Sequence, residues 1–142
     1  MGNLAKAIPG DYVRISVDTA TEPFWEAARE NRLSAPQCTE CGTFHMPPRP
    51  YCPQCQRKSF DWPTLPGTGT VYSFAVCHKS PFQDVEDFDY IPVVVDVDGA
   101  PGCRLVSNLV DIDPAEVEIG MKVIVDFNPI QDGWKVPVFR AV

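Results

Sequence analysis

The sequence predicts a mainly-β chain: one short N-terminal helix, then a small cysteine-pinned ribbon, then a five-stranded barrel. Three observations carry this. A single stretch, TEPFWEAARENRL, sets apolar residues at helical spacing. Four of the six cysteines sit in two C-x2-C hooks ten residues apart, CTECGTFHMPPRPYCPQC. From Thr70 onward, five segments rich in β-branched and aromatic residues are separated by turn signals.

In chain order, residues 12–18 come first. Val13, Ile15 and Val17 alternate with Arg14, Ser16 and Asp18, the pattern of a short edge strand or an extended arm. Thr21 then offers an N-cap, and Pro23 falls in the first helical turn, where a missing N–H is tolerated. Phe24, Trp25 and Ala28 form one apolar stripe with Glu26, Arg29 and Glu30 outside it, and the helix is expected to end near Leu33. So short a helix is marginal without tertiary packing. Its two aromatics therefore need a surface, on their own chain or on a partner subunit.

The hooks come next. Two cysteines separated by two residues turn both sulfurs toward one point, and a second pair completes a tetrahedron, so Cys38, Cys41, Cys52 and Cys55 are the expected ligands of a structural zinc. Gly42 allows the positive φ of a tight turn after the second sulfur, and Pro53 stiffens the second hook. Fifteen prolines, densest over residues 36–66, argue for turns and extended segments in this region. Four thiolates leave no open position for catalysis, and His45 inside the loop is expected at the surface or in packing. A rubredoxin-like iron site uses the same hooks, so both metals stand open on spacing alone. Trp62 and Leu65, in the spacer that follows, are expected to wedge between ribbon and barrel.

The five strand segments are TVYSFAVCH, YIPVVVDVDG, CRLVSNLVDI, MKVIVDFNPI and GWKVPVFRAV. Asp98-Gly99 and Gln131-Asp132-Gly133 mark turns, and Gly120 marks a corner. Five successive strands that close on themselves suit a small Greek-key barrel of the OB type. The expected organisation is an arm and helix over 1–35, a rubredoxin-like zinc ribbon over 36–66, and an OB-fold barrel over 67–142.

Charge and composition limit the function classes. A formal net charge of −7 opposes phosphate-backbone binding, so no nucleic acid is expected as partner. The opening MGNLAKAIPGD has no apolar leader, Lys6 stands where a myristoylation signal wants Ser or Thr, and no apolar run approaches membrane-spanning length. A reducing, cytoplasmic setting follows as the expectation, and it favours metal over disulfides. Cys77-His78 resembles a nucleophile beside its base, but neighbours on a strand point to opposite faces. Cys103 has no helix N-terminus to activate it and reads as a small buried residue. No catalytic residue is expected in this chain.

The motifs together are more specific than the cysteines alone. Phe24-Trp25, Cys38-Thr-Glu-Cys41-Gly42, Pro47-Pro48-Arg49, Cys52-Pro53-Gln54-Cys55, Gly67-x-Gly69, Ile119-Gly120-Met121-x-Val123 and Val138-Phe139-Arg140 resemble one family. It comprises the zinc-ribbon/OB-fold proteins that accompany thiolase-like enzymes in acyl-CoA metabolism, and the likeness runs from about residue 22 to residue 140. The resemblance implies a structural zinc and a non-catalytic subunit that binds a thiolase, lipid-transfer-protein-like aldolase or synthase. Such a subunit helps its partner cleave or form C–C bonds on CoA thioesters, as in steroid side-chain or aromatic degradation. CoA carries phosphates, so Arg49, Lys79, Arg104 and Arg140 are candidate contacts for it. The acidic loop 83–90 suits solvent or a partner instead, and the chain's end, with Phe139 beside Arg140, is expected at the partner interface. Two rivals are a free-standing acyl-CoA carrier or channelling protein, and a single-strand nucleic-acid module of OB type.

Overall fold

A computed structural model describes residues 4–142, so the first three residues of the expected arm lie outside the described part. The arm forms a 3₁₀ turn at Gly10–Tyr12 and then runs extended without a strand partner. The alternation of residues 12–18 therefore belongs to an arm and not to an edge strand. It is fastened to the far end of the chain: the Gln131 N–H donates to the Val13 carbonyl (3.4 Å), and the Arg14 guanidinium donates to the Gln131 side chain (2.8 Å).

Helix α1 spans Glu22–Arg29. Thr21 does not cap it as expected, because its own backbone is already helical (φ −99°, ψ −14°). The turn starts three residues earlier. The Asp18 carboxylate accepts from the Thr21 N–H (2.9 Å), and the Thr21 hydroxyl accepts from the Asp18 N–H (3.2 Å), a reciprocal pair that satisfies two orphan donors. The helix also stops short of Leu33. Asn31 adopts φ +63°, Arg32 N–H reaches back to the Ala27 carbonyl and Asn31 N–H to that of Ala28, which together make a Schellman cap. Phe24, Ala27 and Ala28 are buried. Arg29 stacks on Trp134 with 3.9 Å to the ring centroid, and Lys135 donates to Asn31 (2.9 Å), so the helix docks on its own chain.

Strands β1 (Gln37–Cys38) and β2 (Phe60–Asp61) pair antiparallel and frame the hooks. The barrel follows as β3 (Thr68–Phe74), β4 (Ile91–Val97), β5 (Arg104–Leu109), β6 (Lys122–Pro129) and β7 (Lys135–Ala141). It closes in the order β3-β4-β5-β7-β6, antiparallel throughout except for β5 beside β7, where Leu109 faces Phe139. This is the five-stranded OB-fold barrel expected from the strand count.

Alternation decides what is inside. Ile91, Val93, Val95 and Val97 of β4 are buried while Pro92, Val94 and Asp96 are partly exposed. Each such apolar side chain contributes roughly 1.5–3 kcal/mol on full burial. The register of β3 on β4 shifts between Val71 and Ser73, a bulge that turns Tyr72 outward. Strand β3 ends at Phe74, earlier than TVYSFAVCH implied, and Cys77 keeps only an isolated bridge to Tyr90.

The core is one cluster that joins Phe24 and Leu33 of the helical segment, Leu65 of the spacer and the barrel interior. Trp62, Phe44 and Met46 pack against it. The wedge expected of Trp62 and Leu65 is present. Phe139 is fully buried at its centre, which corrects the expectation that it faces a partner.

Candidate metal centre and surrounding surfaces

The two hooks are built alike. Cys38 N–H donates to the Thr43 carbonyl, and Cys52 N–H to that of Arg57. Gly42 N–H returns to the Cys38 carbonyl (3.0 Å), and Gln56 N–H to that of Cys52 (2.9 Å). Both turns close through a left-handed residue at the same place, Gly42 at φ +76° and Gln56 at φ +65°. Glycine adopts that backbone freely, whereas Gln56 holds it against steric cost.

These turns bring the four sulfurs within 4.8 Å of one another. Cys38 Sγ lies 3.5 Å from Cys55 Sγ, and Cys41 Sγ lies 3.6 Å from Cys52 Sγ. Four sulfurs bound at about 2.3 Å around a tetrahedral zinc lie about 3.8 Å apart, so the residues fit the metal. The Thr43 hydroxyl, 3.2 Å from the sulfur, holds Cys41 down to about 6. The Arg57 N–H favours the Cys55 thiolate, but burial and the three other sulfurs outweigh it and push this thiol up to about 12.

His45, 5% exposed, is a packing residue beside the centre. Its Nε2 accepts from the Arg49 N–H (3.1 Å), its ring meets Phe60 edge-on (5.1 Å), and its Nδ1 has no partner. Burial and the Arg49 charge hold it below the usual histidine range.

The four candidate phosphate contacts are dispersed. Arg49 lines a cavity of about 210 Å³ between ribbon and arm, and Arg140 lines another of about 190 Å³ beside Lys6 and Phe127; Lys79 and Arg104 line neither. Arg140 is engaged by Asp111 and Asp126, the latter at 2.7 Å. Arg104 pairs with Asp96 (2.9 Å) and lies over the Tyr72 ring. Arg49 and Lys79 form no ion pair among the described residues. Lys58, which stands outside the four candidate contacts named from the sequence, shares the cavity of Arg49. Its signal was present in the strand alternation of KSFDW.

The remaining candidates separate. His78 bonds Asp89 (2.7 Å), and Cys77 is exposed on its isolated bridge. Cys103 is buried, and burial pushes its thiol up. The acidic loop folds back on the arm: Tyr12 donates to Asp84 and stacks on Phe82 (4.6 Å). Among the described residues no helix is long and apolar enough to cross a membrane.

Comparison with known proteins matches this architecture. Residues 25–61 match the family described as "ChsH2, rubredoxin-like zinc ribbon domain", and residues 62–128 match "ChsH2, C-terminal OB-fold domain". A "Probable enoyl-CoA hydratase alpha subunit" of Thermomonospora curvata is 43% identical over 120 residues, covering 82% of this chain; the chain spans 36% of that relative's length. A "DUF35 domain-containing scaffold protein" of Methanocaldococcus jannaschii is 33% identical over 76% of this chain and 77% of its own. A chain of the structure described as "Ltp2-ChsH2(DUF35) aldolase" is 36% identical, with TM-score 0.80 over 90% of this chain and 98% of its own. The paired hooks, the helix before them and the five-stranded barrel after them are those of one family, and the chain belongs to it: the ChsH2/DUF35 zinc-ribbon and OB-fold proteins.

Proposed function

We propose that this chain is a non-catalytic subunit that binds a thiolase-like partner, of the thiolase, aldolase or synthase kind, and assists C–C bond cleavage or formation on acyl-CoA thioesters. The observation that carries the reading is the likeness to a chain of the Ltp2-ChsH2(DUF35) aldolase, over nearly that chain's whole length. The hydratase-subunit name of the Thermomonospora curvata relative supports a setting in CoA-thioester metabolism.

Cys38, Cys41, Cys52 and Cys55 hold one zinc in this reading. Bound by four thiolates, the ion cross-links the hooks and offers no position to a substrate. The chain's own residues supply surface and position. The helix and arm are fixed to the barrel through Phe24, Arg29 and Gln131, so they present one rigid face. Of the four candidate CoA contacts, Arg49 and Lys79 carry uncommitted charge, and Arg104 and Arg140 would have to exchange a carboxylate for a phosphate. His78 is bonded to Asp89 and Cys77 sits exposed on an isolated bridge, which supports the reading that the bond-making chemistry belongs to the partner.

The test is co-expression with a lipid-transfer-protein-like aldolase subunit, followed by mass measurement of the purified species. A stable hetero-oligomer with aldolase activity that neither chain has alone is the expected result. Aldolase activity in this chain by itself would overturn the non-catalytic assignment.

A further inference from the structure

The sequence around β2, KSFDW, alternates so that Lys58, Phe60 and Trp62 fall on one face while Ser59 and Asp61 fall on the other. That face forms a wall of the 210 Å³ cavity. Arg49 and Pro50 of the ribbon, with Thr19 and Ala20 of the arm, complete its lining. No carboxylate lines this cavity, in a chain of net charge −7. Neither Arg49 nor Lys58 is ion-paired among the described residues, although Arg57 next door pairs with Glu40.

Two uncommitted cations beside two half-buried aromatic rings ask for a ligand that is anionic and flat together. Carboxylate or phosphate charge alone would leave Phe60 and Trp62 unused; an uncharged ring would leave both cations unused. The walls are held in place from behind. Buried His45 accepts the Arg49 N–H on Nε2 and meets the Phe60 ring edge-on, and Trp62 packs on the common core. A cavity of about 210 Å³ lies below the ~300–1,000 Å³ that holds a whole drug-sized ligand, so it takes one end of a longer molecule.

We propose that this cavity binds the nucleotide end of a ligand, with a purine or similar base against Phe60 and Trp62 and a phosphate between Arg49 and Lys58. The inference rests on the acyl-CoA reading for the identity of the whole ligand, since CoA ends in a phosphorylated adenosine. It assigns that end to the ribbon and not to the barrel.

The experiment is calorimetric titration of the full zinc-loaded chain with AMP, adenosine, inorganic phosphate and CoA. AMP and CoA are expected to bind with one-to-one stoichiometry, and adenosine and phosphate each at least tenfold more weakly. Arg49→Ala and Lys58→Ala should each weaken AMP about tenfold, the loss of one charge-assisted contact. Both side chains are exposed, so the circular dichroism and zinc content of these variants should match wild type. Trp62→Phe should retain AMP binding with reduced quenching of tryptophan fluorescence. No binding of AMP at millimolar concentration, or equal binding by the Arg49→Ala, Lys58→Ala double variant, overturns the site. Phosphate binding as tightly as AMP overturns the nucleotide assignment. Assembly with the aldolase subunit is scored separately: a complex that forms without AMP binding removes this site and leaves the subunit reading, and AMP binding without assembly does the reverse.

Discussion

Cys52 is fully buried with its sulfur 3.6 Å from that of Cys41, and among the described residues no further His, Cys, Asp or Glu joins the four-sulfur group to take its place. Cys52→Ser should lower zinc from one per chain to a small fraction, by elemental analysis, and loosen the hooks to proteolysis. Far-ultraviolet circular dichroism of the barrel should persist, because the barrel's hydrogen bonds close without the hooks. Full zinc occupancy in this variant, or iron in place of zinc in the wild type, would reject the assignment. His45 gives a second prediction, with a definite sign. Its folded pKa is lowered below 6.5, so the unfolded chain binds more protons as the medium turns acid. The stability linked to the neutral ring is fully present above 6.5 and is lost as pH falls below it. Urea unfolding at pH about 7.5 and about 5.5 should show the fall, and His45→Gln should flatten it. Histidine burial was not legible in the sequence: a lone His among prolines looks the same whether it packs or faces water. The hooks were legible because two-residue spacing leaves thiolates few other uses.

At the scale of elements, the strands were readable and their ends were not. Strand β4 announces itself by IPVVVDV, where Ile91, Val93, Val95 and Val97 fill the inner face and alternate with Pro92, Val94 and Asp96. The end of β3 depends on a bulge at Tyr72 and on pairing with β4, a tertiary matter that TVYSFAVCH does not encode locally. The helix was found from its stripe, yet its start came from Asp18, three residues before the expected cap, and its stop from Asn31, which takes at C′ the left-handed place that glycine more often fills. Gly67-x-Gly69 is a local motif with two different causes. Gly67 needs its left-handed backbone (φ +87°), whereas Gly69 needs space: a Cβ there would meet Val95 Cγ1 at 2.5 Å and the Asp96 carbonyl oxygen at 2.6 Å. The second obstacle is backbone, so β4 itself must move. Gly69→Ala should destabilise the chain by about 3 kcal/mol, an overpacking cost at the upper end. Chemical unfolding checks it, and a loss under about 1 kcal/mol would show that the β3–β4 pair yields more easily than its register implies.

For the whole molecule the question is which face would meet the proposed partner. The sequence offered two aromatic sites, the Phe24-Trp25 pair and the end at Phe139. The fold removes Phe139, since its ring is the centre of the barrel core; truncation after Val138 would unfold the barrel and report nothing about assembly. It also commits Phe24, which is buried, and leaves Trp25 half-buried, edge-on to Phe24 at 4.9 Å. A tryptophan whose inner edge is packed and whose outer edge meets water has the form of an interface anchor: it is preorganised, and burying it costs little rotamer entropy. If α1 lies in the contact with a thiolase-like subunit, Trp25→Ala should weaken assembly by about 2 kcal/mol or more, a shift of roughly thirtyfold in dissociation constant. Sedimentation velocity of the mixed subunits reads the shift. Circular dichroism and zinc content of the variant alone separate it from misfolding, and Trp25→Phe, which keeps an aromatic ring on the helix, should recover most of the affinity. A variant that stays folded and assembles like wild type would move the interface off the helix. A wild-type chain that stays alone beside every aldolase- or thiolase-like subunit offered to it would remove the partner itself.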